Sequence, residues 1–151
     1  VNIQVPMSLD GQAGTLLVPV MHPVHCLQSR VANRNNLDRL SATAERQLQA
    51  AQLVADAYIQ EMLGIGALRE VHASIRELFA YLRSDPDGRR AHQCLNHDPI
   101  GTFRKLAADE RLDARYREKT LGPMIKRLDR VRSIWPAALE GLFVPLPEDE
   151  G

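Results

Sequence analysis

Residues 15–36 read TLLVPVMHPVHCLQSRVANRNN, and the apolar period of the chain changes in the middle of this stretch. Thr15 to Met21 is a continuous apolar run of strand length. From His22-Pro23 onward the apolar residues fall at Val24, Leu27 and Val31, which is helix spacing. Proline suits a first helical position because the N–H it lacks would be unbonded there anyway. The chain therefore passes from sheet to helix at His22.

Upstream, residues 1–7 (VNIQVPM) alternate, with Val1, Ile3, Val5 and Met7 on one side and Asn2 and Gln4 on the other. Ser8 to Gly14 hold the turn-forming residues, so residues 1–21 are expected to fold as a β-hairpin at the edge of a sheet. Pro6 and Pro19 each lack a ladder donor and belong at edges or strand ends. Two strands are marginal in water, so the hairpin must lean on helices, join a larger sheet or pair with another chain.

Downstream the pattern is helical. The first helix runs to an Asn-rich break at Asn33-Arg34-Asn35-Asn36, and Ser41 caps the next. That second helix carries a stripe of Leu48, Ala51, Val54, Ala55, Tyr58, Ile59 and Met62, and it stops at Gly64 and Gly66. A third presents Leu68, Val71, Ile75, Leu78, Phe79 and Leu82, and Asp85-Pro86-Asp87-Gly88 ends it. A short helix is expected from about Arg89 to Asn96, then another turn carrying Ile100, Phe103 and Leu106. The last long helix runs from near Asp113 to Trp135, with Tyr116, Leu121, Ile125, Leu128, Val131, Ile134 and Trp135 on its stripe. Gly122-Pro123 should kink or break it and Pro136 should end it. The expected fold is mainly α with a small β element: an N-terminal hairpin (1–21), a helical domain of four to six helices (22–144) and an acidic tail (145–151).

Composition narrows the function classes. Over 151 residues, 44% are apolar and 25% charged, which suits one folded domain. Nineteen basic residues balance nineteen acidic ones, so net charge gives no general case for a nucleic-acid or membrane partner. No run approaches the roughly 20 apolar residues that cross a bilayer, and no signal peptide is visible. Cys26 and Cys94 read as two reduced thiols of a cytoplasmic protein.

No complete catalytic motif is present. His22, His25 and Cys26 form one small group and His92, Cys94 and His97 another, but neither has the two-pair spacing of a zinc module, so no bound metal is expected. Cys26 and His25 are helix neighbours that face different ways, which argues against a nucleophile–base pair. Gly64-Ile65-Gly66 lacks the further glycines and lysine of a phosphate loop and reads as a helix cap. Basic residues gather on the last helix, where Arg115 and Lys119, and Lys126 and Arg130, stand four apart. Asp113, Glu118 and Asp129 are interleaved with them, as on an ion-paired, solvated face. Contact with a phosphate, nucleotide or nucleic acid through these residues is the sharper alternative.

The strand TLLVPVM followed by MHPVHCLQSRVANRNNLDRL (residues 15–40) resembles the strand-to-helix passage of nucleotidyltransferase-fold proteins of the abortive-infection toxin type, which belong to type IV toxin–antitoxin pairs. There a late sheet strand leads into a helix with an aliphatic face and a basic residue, and Arg30 stands at that place. The resemblance implies an α+β parent in which the helical half covers the sheet and lines a substrate cleft, with Arg30, Arg115, Lys119, Lys126 and Arg130 as candidate substrate- or phosphate-contacting residues. The family's chemistry uses a Gly-Ser turn and clustered strand carboxylates that hold magnesium. This chain has no Gly-Ser dipeptide and no acid in either predicted strand. On this reading it is the C-terminal part of a longer protein, without catalytic residues or a cofactor of its own. The alternative is a non-enzymatic helical domain that binds a protein partner or forms a homodimer through the hairpin.

Overall fold

Two strands open the chain, β1 (Asn2–Leu9) and β2 (Gln12–Pro19), paired antiparallel with Val5 opposite Leu16 and Leu9 opposite Gln12. The computed structural model describes the backbone of residues 2–9, 12–37 and 41–139. The strands are longer at the turn than their apolar runs suggest, so the broad Ser8–Gly14 turn is corrected to a ladder that continues to Leu9 and Gln12. Only Asp10-Gly11, outside the described residues, separates them, and Asp-Gly is the residue pair that two-residue hairpin loops favour. Val20 and Met21 lie beyond the strand. Pro6 is accommodated because in a two-stranded ribbon each strand has an outer edge that needs no ladder donor.

The helices are α1 (Pro23–Asn36), α2 (Ala42–Gly64), α3 (Leu68–Ser84), α4 (Pro86–Arg90), α5 (Ile100–Ala108), α6 (Ala114–Tyr116) and α7 (Gly122–Leu139). A 3₁₀ turn (Ala91–Gln93) follows α4, and a π turn (Arg117–Leu121) joins α6 to α7. The protein is thus mainly α with a small β element. The acidic tail predicted at 145–151 lies outside the described residues.

Local chemistry explains where these elements differ from their sequence reading. The Asn-rich segment does not break α1. Asn35 Nδ2 and Asn36 Nδ2 donate to the two carboxylate oxygens of Asp87 at 2.9 and 3.0 Å. Their side chains therefore do not compete with their own backbone, which is how asparagine usually disfavours helix. Asp85 ends α3 and also starts α4. Its carboxylate accepts from the backbone N–H of Asp87 at 2.8 Å and Gly88 at 3.1 Å, with Pro86 at the first helical position. The short helix accordingly begins at Pro86 rather than Arg89. Gly88 is required there, since a Cβ would stand 2.2 Å from the Tyr81 carbonyl oxygen. Pro123 crowds the carbonyl four residues back and offers it no N–H. The chain answers with the π turn ahead of Gly122-Pro123. Pro136 does not end α7, which continues to Leu139. One missing N–H costs a single helical bond and need not stop propagation.

Gly66 closes α2 at φ +73°, where its N–H donates to Leu63 and that of Ala67 to Met62, the paired bonds of a Schellman cap. The glycine pair is therefore a helix stop, as its sequence suggests.

Among the described side chains the core is built by the helices, with Leu95 and Leu112 added from the connecting segments and none from the hairpin. It joins Val24, Leu27 and Val31 of α1 to Leu48, Ala55 and Ile59 of α2, and to Val71, Ile75 and Leu78 of α3. Phe103, Leu106, Leu121 and Leu128 complete it from the later helices. The α2 stripe is rotated from its predicted phase, with Val54 exposed and Gln52 buried in its place. Gln52 tolerates burial because its amide is bonded to His97, donating to the carbonyl at 2.6 Å and accepting from the N–H at 3.4 Å. Gln49 does the same nearby, donating to Cys94 O and accepting from Asn96 N–H. These two amides hold the segment before α5. They set Asp98 for a paired contact with Arg132 of α7, and Asp98 also accepts from Ile100 N–H at 2.9 Å.

Candidate interaction surface

No described hairpin side chain is buried; Val18 alone is half-covered. Directly paired residues share a face, so the register puts Val5 with Leu16 and position 3 with Val18 on one side. Gln4 with Leu17, Pro6 with Thr15 and Ser8 with Ala13 lie on the other. The first side is apolar and the second mixed. Val5 is 36% exposed and Leu16 48%, so the apolar side is not folded back onto the helices. Of the three alternatives for the hairpin, leaning on the helices is not met at these two residues.

The hairpin meets the bundle at His22, which caps α1. Its Nδ1 accepts from the Val24 N–H at 3.2 Å, and its carbonyl accepts from Cys26 N–H at 2.9 Å. An accepting Nδ1 carries no proton, so the neutral ring holds its hydrogen on Nε2 and directs it at Ser74 Oγ, 3.4 Å away. This tautomer excludes His22 as a base for Ser74, because the nitrogen facing the hydroxyl is already protonated. The ring also meets Tyr58 edge-on at 5.1 Å and His25 at 5.4 Å. Burial, then the neighbouring His25, lowers the His22 pKa below its usual value. A groove of about 220 Å³ runs beside it, lined by His22, His25, Glu70, Ala73, Ser74 and Glu77. His25 Nε2 lies 3.5 Å from Glu77 Oε1 on its rim.

The candidate phosphate-contacting residues fall in separate places. Arg30 faces the seam of α1 and α2, where Nη1 donates to Gln47 Oε1 at 2.8 Å. Arg115, Lys119, Lys126 and Arg130 are exposed on α6, the π turn and α7. Because α1 packs mainly on α2, α3 and α4, these four do not converge with Arg30. The π turn also breaks the even angular advance that would align Arg115 and Lys119 with Lys126 and Arg130. Asp129 is drawn away by Arg104 at 2.7 Å rather than pairing along the basic stripe.

The cysteines lie in the helical domain. Cys26 is half-buried beside the core, and burial first of all raises the Cys94 thiol pKa, which disfavours a reactive thiolate. Among the described residues no group of three or more His, Cys, Asp or Glu side chains is placed to hold a metal, and no helix is long and apolar enough to cross a membrane. Sequence reasoning placed His22 at the start of a helix and set a ligand role aside, but missed that its ring is the cap. Histidine is not among the usual capping residues, and Ser74, Glu70 and Glu77 meet it only through tertiary packing.

No family model, curated protein or solved structure matches the chain.

Proposed function

We propose that this chain is the helical, non-catalytic part of a nucleotidyltransferase-like protein, and that its hairpin is the edge where further strands of the sheet join. The supporting observation is the exposed Val5–Leu16 pair on the apolar side of the hairpin, beside a bundle that has its own core. A lone two-stranded ribbon is marginal in water, and its unpaired edges invite additional strands. Neither strand contains an aspartate or glutamate. The residues present therefore do not fit the magnesium site of such enzymes, whose carboxylates would come from other strands. In this reading the helices flank the sheet, and Arg115, Lys119 and Lys126 are the residues open to a substrate phosphate. Arg30 instead supports the α1–α2 seam. Incubation with labelled nucleoside triphosphates, magnesium or manganese and candidate acceptors should give no transfer by the chain alone. Turnover that follows the pure protein would sink the reading.

The same bare side also favours a second reading, a two-fold homodimer in which two hairpins pair. A ribbon of eight-residue strands offers roughly 300 Å² on one face, taking about 3.4 Å per residue and 4.8 Å between strands. A stable interface buries about 800 Å² per partner. A dimer must therefore use strand edges and neighbouring helix surface as well. Light scattering at high micromolar concentration separates the readings: a monomer leaves the hairpin for strands of another origin, a dimer assigns it to a second copy.

A further inference from the structure

We infer that His22 is a protonation-controlled joint: neutral, its ring caps α1 and fixes the hairpin to the bundle; protonated, the ring leaves the cap for the groove beside Glu70 and Glu77, and the hairpin is freed to reorient. The inference concerns attachment alone and does not depend on what the hairpin binds.

Geometry supplies both states. In the first, Nδ1 takes the Val24 N–H and Nε2–H points at Ser74 Oγ. Adding a proton places Nδ1–H against the Val24 N–H, 3.2 Å away, so two donors face each other and the cap is lost. In the second, the acidic groove of about 220 Å³ opens directly beside the ring and gives it room and opposite charge. The charged and titratable groups around His22 are His25 on α1, Tyr58 on α2, and Glu70 and Glu77 on α3. Burial and His25 favour the neutral ring where it sits, whereas Glu70 and Glu77 favour the charged one. The acidic pair thus draws the ring towards the groove once it is charged. Of the described hairpin side chains only Val18 is half-covered and the others are exposed, so the ring of His22 is the buried-side contact nearest the hairpin that can titrate. A local charge change biasing an element with two arrangements is the ordinary form of a histidine switch.

Long-range proton–nitrogen spectra and backbone relaxation of the intact chain test this. At pH 7.5, His22 should appear as the Nε2–H tautomer, with the β1–β2 amides tumbling with the helices. At pH 5, exchange protection at Val24 should fall about tenfold, the size of a lost cap. The hairpin amides should then gain nanosecond motion of their own. His22→Asn keeps a capping oxygen and removes the titration, so its hairpin relaxation should be the same at both values. An Nδ1–H tautomer at pH 7.5, wild-type hairpin relaxation unchanged at pH 5, or the same pH response in His22→Asn would each overturn the proposal. Should the variant not fold, the wild-type tautomer and relaxation decide it alone.

Discussion

The hairpin and the helical bundle obey opposite arrangements of the same apolar residues. In the bundle, Phe103, Leu48, Ile59 and Ile75 are sealed, and even Gln52 is buried because both ends of its amide are bonded. In the hairpin, Leu16 and Leu17 stay 48% and 59% exposed although residues 16–21 are apolar without a break. Hydrophobicity alone therefore does not report where the core is. What separates the regions is periodicity that matches a neighbour. Helices α1, α2 and α3 present stripes to one another, while Val5 and Leu16 on the ribbon's apolar side stay exposed.

The largest effect should come from Phe103→Ala. The side chain is fully buried, 6.5 Å from the Phe79 ring centre, and its loss should cost about 3–5 kcal/mol in denaturant melts. Leu17→Ala in the hairpin should change stability by less than about 0.5 kcal/mol. Equal losses would erase the contrast between the two regions. Next in size is Gln52→Ala, which leaves the His97 N–H and carbonyl without their partner. A cost of about 1–3 kcal/mol is expected in the same melts, together with faster amide exchange across residues 94–97. A third variant tests the surface instead of the core. Val5→Lys with Leu16→Glu replaces an apolar cross-strand pair by an attractive charged one. Helical circular dichroism should stay intact, and any self-association seen by light scattering should drop at least tenfold. A wild-type dimer that survives the double change does not use this side of the ribbon.

The smallest expected effect is on pH. His22 and His92 both have folded pKa values below the ordinary 6.5, chiefly through burial, with His25 and Arg132 respectively adding to it. The folded chain then binds fewer protons than the unfolded one just below that value. Their contribution is complete above pH 6.5 and declines as pH falls through the folded values. Burial works against the Asp98 carboxylate, but its bonds to Arg132 and the Ile100 N–H prevail and hold it below the ordinary 3.8. Its share is lost only in stronger acid. Melts between pH 7.5 and 5 should show a modest fall, flattened in His92→Gln. A rise in stability over that interval would contradict the sign.

Much of this fold is legible in the residues. Ser41 and Gly66 mark helix ends through capping chemistry that acts within a few positions, and strand alternation locates the hairpin. The failures share a cause. Asn35 and Asn36 read as a break because Asp87, fifty residues on, is invisible to local pattern. Gln52 reads as surface because His97, 45 residues on, is equally invisible to it. The candidate site was harder still. The basic residues are prominent in the sequence, yet Arg30 spends its charge on Gln47, while His22 acquires its surroundings from three helices.

The amide grip on the segment before α5 bears on inheritance. Gln49 and Gln52 touch the main chain of Cys94, Asn96 and His97 and leave their side chains out of the contact. The path of that segment is thus written largely in α2, with its own Leu95 as the one side chain it buries in the core. Drift at exposed Asn96 or His97 should pass unnoticed by the fold, whereas the two glutamines should be kept by any descendant that keeps the shape.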